Sequence, residues 1–498
     1  MSSELYESAP ESLGNEYEIE RQRLQQFFTA AGTRNGRQEE FRTTPLFSLA
    51  VKHVVDGGNA GTAPEVLPQY GLLGFHIGEN ENVSEKEPLH MNVDAPNSAF
   101  ICGSQGSGKS YTLSCMLENC LLSSPDTGRL RAPVAGVVFH YDINSTPAPA
   151  EAAYLCSRGI EVNVFVSRSA GRALNEAYKN LGDKYGNLKV QPLMFRSSDL
   201  SIERMNRLMA VATKEGPPPL YMEVVQRILR DLAINSEVFD YLQFKKLLAN
   251  EQLTKDQTSP MSLRLGLLES FMDPSSLLGS GQSFNGKKFY GHKSGSKDKG
   301  SLNPQPGSLT IIDLSDTFVD SSTVCLLFDM CLGLVKEQRP EAGLVIGLDE
   351  AHKYMNKDKS TSAALFTDSL LTTIREQRHN STRVFIATQE PTISERLLDL
   401  CSITIVHRFS SPAWFGSIKD HLGGASSMVS TKESQYSMFE RIVNLDVGES
   451  LVFAPSAFVG LRDREVTKLG AVALLMKTRA RLGTDGGTSK LATGSVEQ

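Results

Sequence analysis

The sequence has little cysteine, no long apolar run and no basic excess, and each shortage removes a class of protein. Its seven Cys, at 102, 115, 120, 156, 325, 331 and 401, are scattered without any C-x-x-C pair. Set mostly among apolar residues, they read as reduced core thiols and not as a zinc site or a disulfide frame. No apolar run reaches the ~18 residues that cross a bilayer. The first 20 residues carry six Glu, no Lys or Arg and no apolar h-region, which argues against a secretory or mitochondrial leader. With 51 Lys and Arg against 57 Asp and Glu, the formal charge is −6, so any nucleic-acid binding must be local. A soluble intracellular protein, cytoplasmic or nuclear and without membrane contact, is expected.

What remains is the composition of an ordinary globular chain: 498 residues, 40% hydrophobic and 22% charged, enough to bury a sizeable core. Residues 1–45 are polar and acidic and read as a flexible arm, in which 16–31 could form one amphipathic helix able to dock a partner protein. Residues 46–97 alternate short apolar stretches with Gly, Pro and Asn clusters, as a small β subdomain would. From 98 to 200 apolar strands alternate with amphipathic helices, the pattern of a parallel sheet. Residues 201–278 read as an all-helical insertion, 279–307 as a basic Gly/Ser-rich loop, 308–475 as the second part of the α/β core and 476–498 as a flexible tail.

The strongest local signal is a full G-x-x-x-x-G-K-S, made of Gly103, Ser104, Gln105, Gly106, Ser107, Gly108, Lys109 and Ser110, between an expected strand and an expected helix. Glycines at 103, 106 and 108 allow a tight turn that aims N–H groups at a phosphate, at the positive end of the next helix. In this setting Lys109 bridges the β- and γ-phosphates of ATP, and the Ser110 hydroxyl ligates Mg2+. The segment Leu344–Leu348 is an apolar run ending in Asp349 and Glu350, which puts one carboxylate at the metal and a second beside the γ-phosphate, where it can polarise water. A third strand, Arg383–Thr388, ends in Gln389, whose amide can bond both water and a phosphate oxygen.

Taken in order, the phosphate loop, a helical insertion, IIDLSD, LDEAHKYM and IREQRHNSTRVFIATQEPTISERLLDLCSITIVHRF resemble the HerA/FtsK superfamily of P-loop ATPases, its HerA branch above all, over about residues 90–470. The resemblance implies a RecA/FtsK-like parallel core, ATP and Mg2+ as cofactors, and catalytic roles for Glu350, Gln389 and Arg375, the last an arginine finger reaching a neighbouring subunit. It further implies a ring of six subunits that moves double-stranded DNA. A non-translocating nucleotide switch or assembly factor is the alternative. Two departures stand out: an N-terminal barrel that is reduced or absent, residues 46–97 being at most a reduced barrel-like subdomain, and VVFHYDINS where members carry a D-x-x-G-E-like turn, which leaves Asp142 a weak candidate. The DEAH string does not indicate a superfamily-two helicase, because no S-A-T or Q-x-x-G-R-x-G-R motif accompanies it and Asp349 lies 246 positions after Gly103.

A polymer has one candidate contact, Lys287–Lys299, with five Lys against one Asp and with Phe289 and Tyr290. Such a loop suits phosphate neutralisation with base stacking, and it equally suits a solvated connection. The stretch LMKTRARLGTDGG is also basic.

Overall fold

The computed structural model describes residues 34–57, 65–77, 86–143, 147–209, 221–235, 239–277, 283–284, 287–288, 302–355, 361–391, 393–421, 432–462 and 465–486. The strands are β1 (Leu46–Ser48), β2 (Tyr70–His76), β3 (Glu87–Asn92), β4 (Ser98–Cys102), β5 (Ala135–His140), β6 (Glu161–Val166), β7 (Leu188–Pro192), β8 (Ser308–Asp313), β9 (Leu344–Leu348), β10 (Thr382–Thr388), β11 (Ile403–His407), β12 (Glu449–Phe453), β13 (Phe458–Arg462), β14 (Glu465–Lys468) and β15 (Leu474–Thr478). They form one sheet in the order β14-β13-β1-β3-β2-β15-β12-β11-β4-β10-β9-β5-β8-β6-β7, with a sixteenth, two-residue strand, Gly128–Arg129, pairing antiparallel with β2 off this path.

From β11 to β7 every pairing is parallel. Strands β4, β5, β8, β9, β10 and β11 are buried at every position because helices cover both their faces, whereas the edge strand β7 is largely exposed. Two helices, α1 (Arg34–Thr43) and α2 (Leu49–Gly57), come before the parallel region in the chain. One face of that region carries α3 (Lys109–Leu121), a 3-10 helix (Glu151–Arg158) and α4 (Arg172–Tyr185). The other carries α5 (Ile202–Met209), α6 (Tyr221–Asn235), α7 (Tyr241–Ala249), α8 (Lys255–Ser270), α9 (Ser321–Glu337) and α10 (Thr361–Arg375). Three helices follow, α11 (Glu395–Leu400), α12 (Pro412–Ile418) and α13 (Lys432–Val443). Helices α5 to α8 fall within the stretch expected to be a helical insertion. Parallel strands present their C-terminal ends at one edge, and the crevice outside that edge is where ligands of such sheets bind.

Three expectations from the sequence need correction. The arm is not flexible throughout: α1 sets Phe41 edge-on against Phe458, ring centroids 4.6 Å apart, while Arg37 donates to the Val466 carbonyl. The candidate helix at 16–31 lies outside the described residues. The β segment after the arm is not a separate subdomain, since β2 pairs with β15 and β1 with both β3 and β13, so it continues the main sheet. Alternation in a single segment cannot reveal that its partners are some 400 residues away.

The third correction concerns the tail. Strand β15 lies inside the sheet, and residues 479–486 strap across α3. Arg479 is buried and donates to the Glu118 carboxylate at 2.8 Å, and Glu118 also accepts the Leu482 and Gly483 N–H groups. Arg481 pairs with Glu151 and stacks over Tyr111. The basic residues of this stretch are therefore spent on internal pairs. Removing one member of a buried pair leaves an uncompensated charge, so Arg479→Ala is expected to destabilise the fold by about 3–5 kcal/mol. Urea titration followed by circular dichroism measures it, and a loss under about 1 kcal/mol, the value of a surface pair, would refute it.

All seven cysteines are free thiols; six are buried and Cys401 is half-buried. No helix among the described residues is long and apolar enough to cross a membrane.

Candidate nucleotide-binding and hydrolysis site

Strand β4 is buried at every position, so the chain must leave the sheet at Cys102 and turn at once into α3. The loop 103–108 does this with positive φ at Gly103 (155°), Gly106 (72°) and Gly108 (109°). Space as well as backbone conformation demands glycine: a Cβ at 103 would sit 2.7 Å from both the Ser107 hydroxyl and the His407 Cβ, and one at 108 would sit 3.2 Å from the Gly448 Cα. Gly108 caps α3 without a side-chain hydrogen bond, so the first N–H groups of the helix are left for an anion. The loop is held from behind. The Arg408 carbonyl accepts the Ser104 N–H (2.8 Å) and hydroxyl (2.9 Å), and Ser107 donates to the Ser104 carbonyl (2.7 Å). Gln105 and Gly106 are exposed.

Lys109 is buried and its ammonium donates to the Ser104 carbonyl at 2.9 Å, curled over the cradle that a phosphate would fill. Burial draws its pKa down, against the pull of Glu350 and Asp349. Beside it, Ser110 donates to Asp349 Oδ1 at 3.2 Å, although 239 residues separate the two.

Strand order brings the carboxylates here. β10 pairs with β4, and β9 pairs with β10 on its far side, so the ends of β9 and β10 open beside the loop. Asp349 Oδ2 meets His140 Nδ1, from the end of β5, at 3.2 Å. Burial penalises the His140 charge, but the bond to Asp349 and the nearby Asp313 outweigh it and push its pKa up to about 9. The imidazolium thus donates to Asp349. Burial likewise opposes the Asp349 charge, and His140, Ser110 and Lys109 more than offset it, so this carboxyl is held below the usual range.

Glu350 is set differently. Its φ of 50° places a non-glycine residue in the left-handed region, a strained conformation of the kind found at active sites. The Gln389 amide donates to both its oxygens, at 3.3 and 3.2 Å. Burial first, and the Asp349 charge second, push its pKa up. Two adjacent carboxylates therefore differ: one is held charged, as a cation ligand must be, and the other is made a better proton acceptor. His352 accepts the Gln389 N–H on Nδ1 (3.3 Å) and, with burial and then Lys353 drawing its pKa to about 4, it is neutral. Its approach to Glu350 at 3.4 Å is accordingly not an ion pair. Lys353 and Asp142 form an ion pair at 2.5 Å, and the Asp142 N–H donates to the Ser315 hydroxyl.

The chain thus brings Gly103 to Ser110, Asp349, Glu350 and Gln389 together. It does not bring Arg375, which is exposed at the last position of α10 and so precedes β10, whereas Gln389 follows it. Seven strand residues at ~3.3 Å each put the two about 20 Å apart. Sequence reading missed His140, His352 and Lys353. The one signal for His140 was its place in VVFHYD, where a strand parallel to the Asp349 strand ends.

The donors present fit a magnesium nucleotide. A hydroxyl and a carboxylate 3.2 Å apart are hard oxygen ligands of the kind Mg2+ takes together with phosphate oxygens and water. Among the described residues no cluster of three or more His, Cys, Asp or Glu could hold a metal by itself.

No family model and no curated protein matches the chain. Among solved structures it is similar to VirB4 of Thermoanaerobacter pseudethanolicus, at 12% identity over 78% of this chain and 90% of that one, with a TM-score of 0.45. It is also similar to the plasmid coupling protein TrwB in complex with ADP and Mg2+, at 13% identity over 82% and 98%, TM-score 0.42. The genome packaging NTPase B204 from Sulfolobus turreted icosahedral virus 2 matches at 15% identity over 30% and 62%, TM-score 0.21. By its own strand order, phosphate loop and paired carboxylates, the chain has the P-loop NTPase fold in which one strand, β10, separates the strand that enters the phosphate loop, β4, from the one that ends in the two carboxylates, β9, the architecture that its HerA/FtsK resemblance implied.

Proposed function

We propose that this protein is a HerA/FtsK-like motor that hydrolyses ATP with Mg2+, works as an oligomer and translocates double-stranded DNA. The observation that carries the hydrolytic part is the placement of Glu350, bonded to Gln389, beside a loop whose three glycines adopt the positive φ of a phosphate-cradling turn. Gly103 to Gly108 supply N–H donors, Lys109 exchanges the Ser104 carbonyl for the β- and γ-phosphates, and Ser110 and Asp349 hold the metal. Bound there, Mg2+ would neutralise charge that develops on the phosphates. Glu350 takes a proton from the attacking water while Gln389 fixes its position.

Arg375 supplies the remaining cation from a neighbouring subunit. Its place at the opposite end of β10 from its own Gln389 favours action in trans over action in cis. Subunits arranged head to tail form a ring when the rotation between neighbours closes, and six subunits is the number the resemblance implies.

For DNA, Arg479 and Arg481 are engaged inside the fold, which leaves the Lys287–Lys299 loop as the candidate grip. Lys287–Lys288 pairs with Ser283–Phe284 in a two-stranded ribbon, and residues 289–299 lie outside the described residues. Replacing the five Lys of this loop with Ser is expected to abolish DNA stimulation of hydrolysis while basal turnover persists. It should also flatten the dependence of log affinity on log salt by about 0.9 for each phosphate that is no longer neutralised. The Lys109→Ala protein, with no basal turnover, is the control for contaminating ATPases. Purified protein that hydrolyses ATP yet neither binds DNA at low salt nor responds to it would be the nucleotide switch instead of the motor.

A further inference from the structure

Glu350 holds a backbone conformation, φ 50° and ψ 41°, that a non-glycine residue keeps only where its surroundings enforce it. The strands on either side of β9 supply contacts that can do so. On the β10 side the Gln389 N–H donates to His352, and the Gln389 amide donates to the Glu350 carboxylate. On the β5 side stands the ion pair of Lys353 with Asp142. Neither member of that pair has a share in the proton transfer or in the phosphate and metal contacts.

The path from Lys353 back to Glu350 is short. Residues Ala351–Lys353 make one 3-10 turn, closed by the Lys353 N–H on the Glu350 carbonyl at 2.9 Å, and three residues per turn bring positions 350 and 353 over one another. Just beyond, Tyr354 is buried against Phe328, and its carbonyl accepts the Cys325 thiol. With that end anchored, a shift of Lys353 is passed on to the turn at 350. Asp142 in its turn is a fixed post. Its N–H donates to the Ser315 hydroxyl at 2.8 Å, the Ser315 N–H donates to Asp313 Oδ1 at 2.9 Å, and Asp313 Oδ2 accepts the Tyr178 hydroxyl at 2.6 Å. The post thus belongs to β8 as well as β5, which pair in parallel. The side chains of Lys353 and Asp142 are only 19% and 15% exposed, which sets them apart from the solvated surface pairs that contribute almost nothing.

We propose that Lys353 and Asp142 are positioning residues, a clamp that holds the Glu350 turn in its left-handed conformation from the β5 side and so keeps the carboxylate aimed at the attacking water. The assignment rests on reading Glu350 as the general base. Single-turnover ATP hydrolysis and calorimetric ATP binding, both with Mg2+, are measured on the full chain carrying Lys353→Met, Asp142→Asn, the two together or Lys353→Arg. Each is made with Glu350 intact and again with Glu350→Gln. With Glu350 intact, the two single variants are expected to lose roughly 10–100-fold in hydrolysis, the scale of a misplacement of about 1 Å, while ATP affinity is unchanged. The double variant should be no slower than either, since the pair acts as a unit, and Lys353→Arg should recover most of the rate. Alongside Glu350→Gln, none of these changes should slow the residual rate further, which distinguishes a clamp acting through Glu350 from a group that touches phosphate itself. The double variant leaves no charge unpaired and serves should a single one fail to fold. Hydrolysis unchanged in the double variant, ATP affinity lost in it, or a loss of rate that persists alongside Glu350→Gln overturns the clamp and leaves the hydrolytic reading intact. If the unaltered protein does not hydrolyse ATP, or if Glu350→Gln alone leaves the rate untouched, the general-base reading falls first and takes the clamp with it.

Discussion

Glu350→Gln is expected to keep ATP bound and to lower hydrolysis by about 10²–10⁴-fold, the usual cost of losing a positioned general base. The amide has the size of the carboxylate and can still bond Gln389, so the strained turn at 350 and the approach of His352 keep their geometry. What is lost is the proton acceptor, whose basicity burial and the neighbouring Asp349 raise in the native protein. Binding should therefore hold while single-turnover hydrolysis collapses. A parallel loss of both would mean that Glu350 acts by holding the Asp349 turn in shape.

A similarly large effect is expected at Arg375, where removing the guanidinium should cost about 10³–10⁵ in rate, as arginine fingers do in other P-loop enzymes. Its position makes the expectation specific. Arg375 stands at the opposite end of β10 from Gln389, so the deficit belongs to the neighbouring subunit's site and not to its own. Arg375→Ala subunits keep an intact cradle, and Lys109→Ala subunits keep an intact finger. Mixing the two inactive proteins should restore turnover at those interfaces where a Lys109 cradle faces an Arg375 finger. An active monomer, or mixtures as inactive as their parts, would remove Arg375 from the site.

Much of the site is legible from sequence because phosphate binding is a local problem. Three glycines, a lysine and a hydroxyl within eight positions have few other uses, and a buried strand that ends in two carboxylates announces itself by its apolar run. Gln389 could be placed by motif order, since β10 lies between β4 and β9 as such a site requires. His140, Lys353 and His407 were invisible for the opposite reason. Each does its work through a partner on another strand or helix, Asp349, Asp142 and Thr112 respectively, and no spacing along the chain encodes that. The same limit explains the ends of the chain. β1 to β3 read as a separate unit, and the strap at 479–486 read as a tail, because their partners are hundreds of residues distant and the Arg479–Glu118 pair looks like two ordinary surface charges until both are found buried.

The reliance of the phosphate loop on late strands sets the order in which this protein can mature. Gly108 is translated 370 positions before Thr478, yet the loop is buttressed by Arg408 and Gly448 and its helix by Thr478. At about 5–20 residues per second, a ribosome needs roughly 20–70 s to cover that interval. During that time α3 and β4 have no settled neighbours on one flank, and their apolar surface is open to chaperones or to other nascent chains. A stalled or truncated product would carry the complete G-x-x-x-x-G-K-S and still lack a formed cradle, so nucleotide cannot guide or stabilise folding until synthesis is nearly finished.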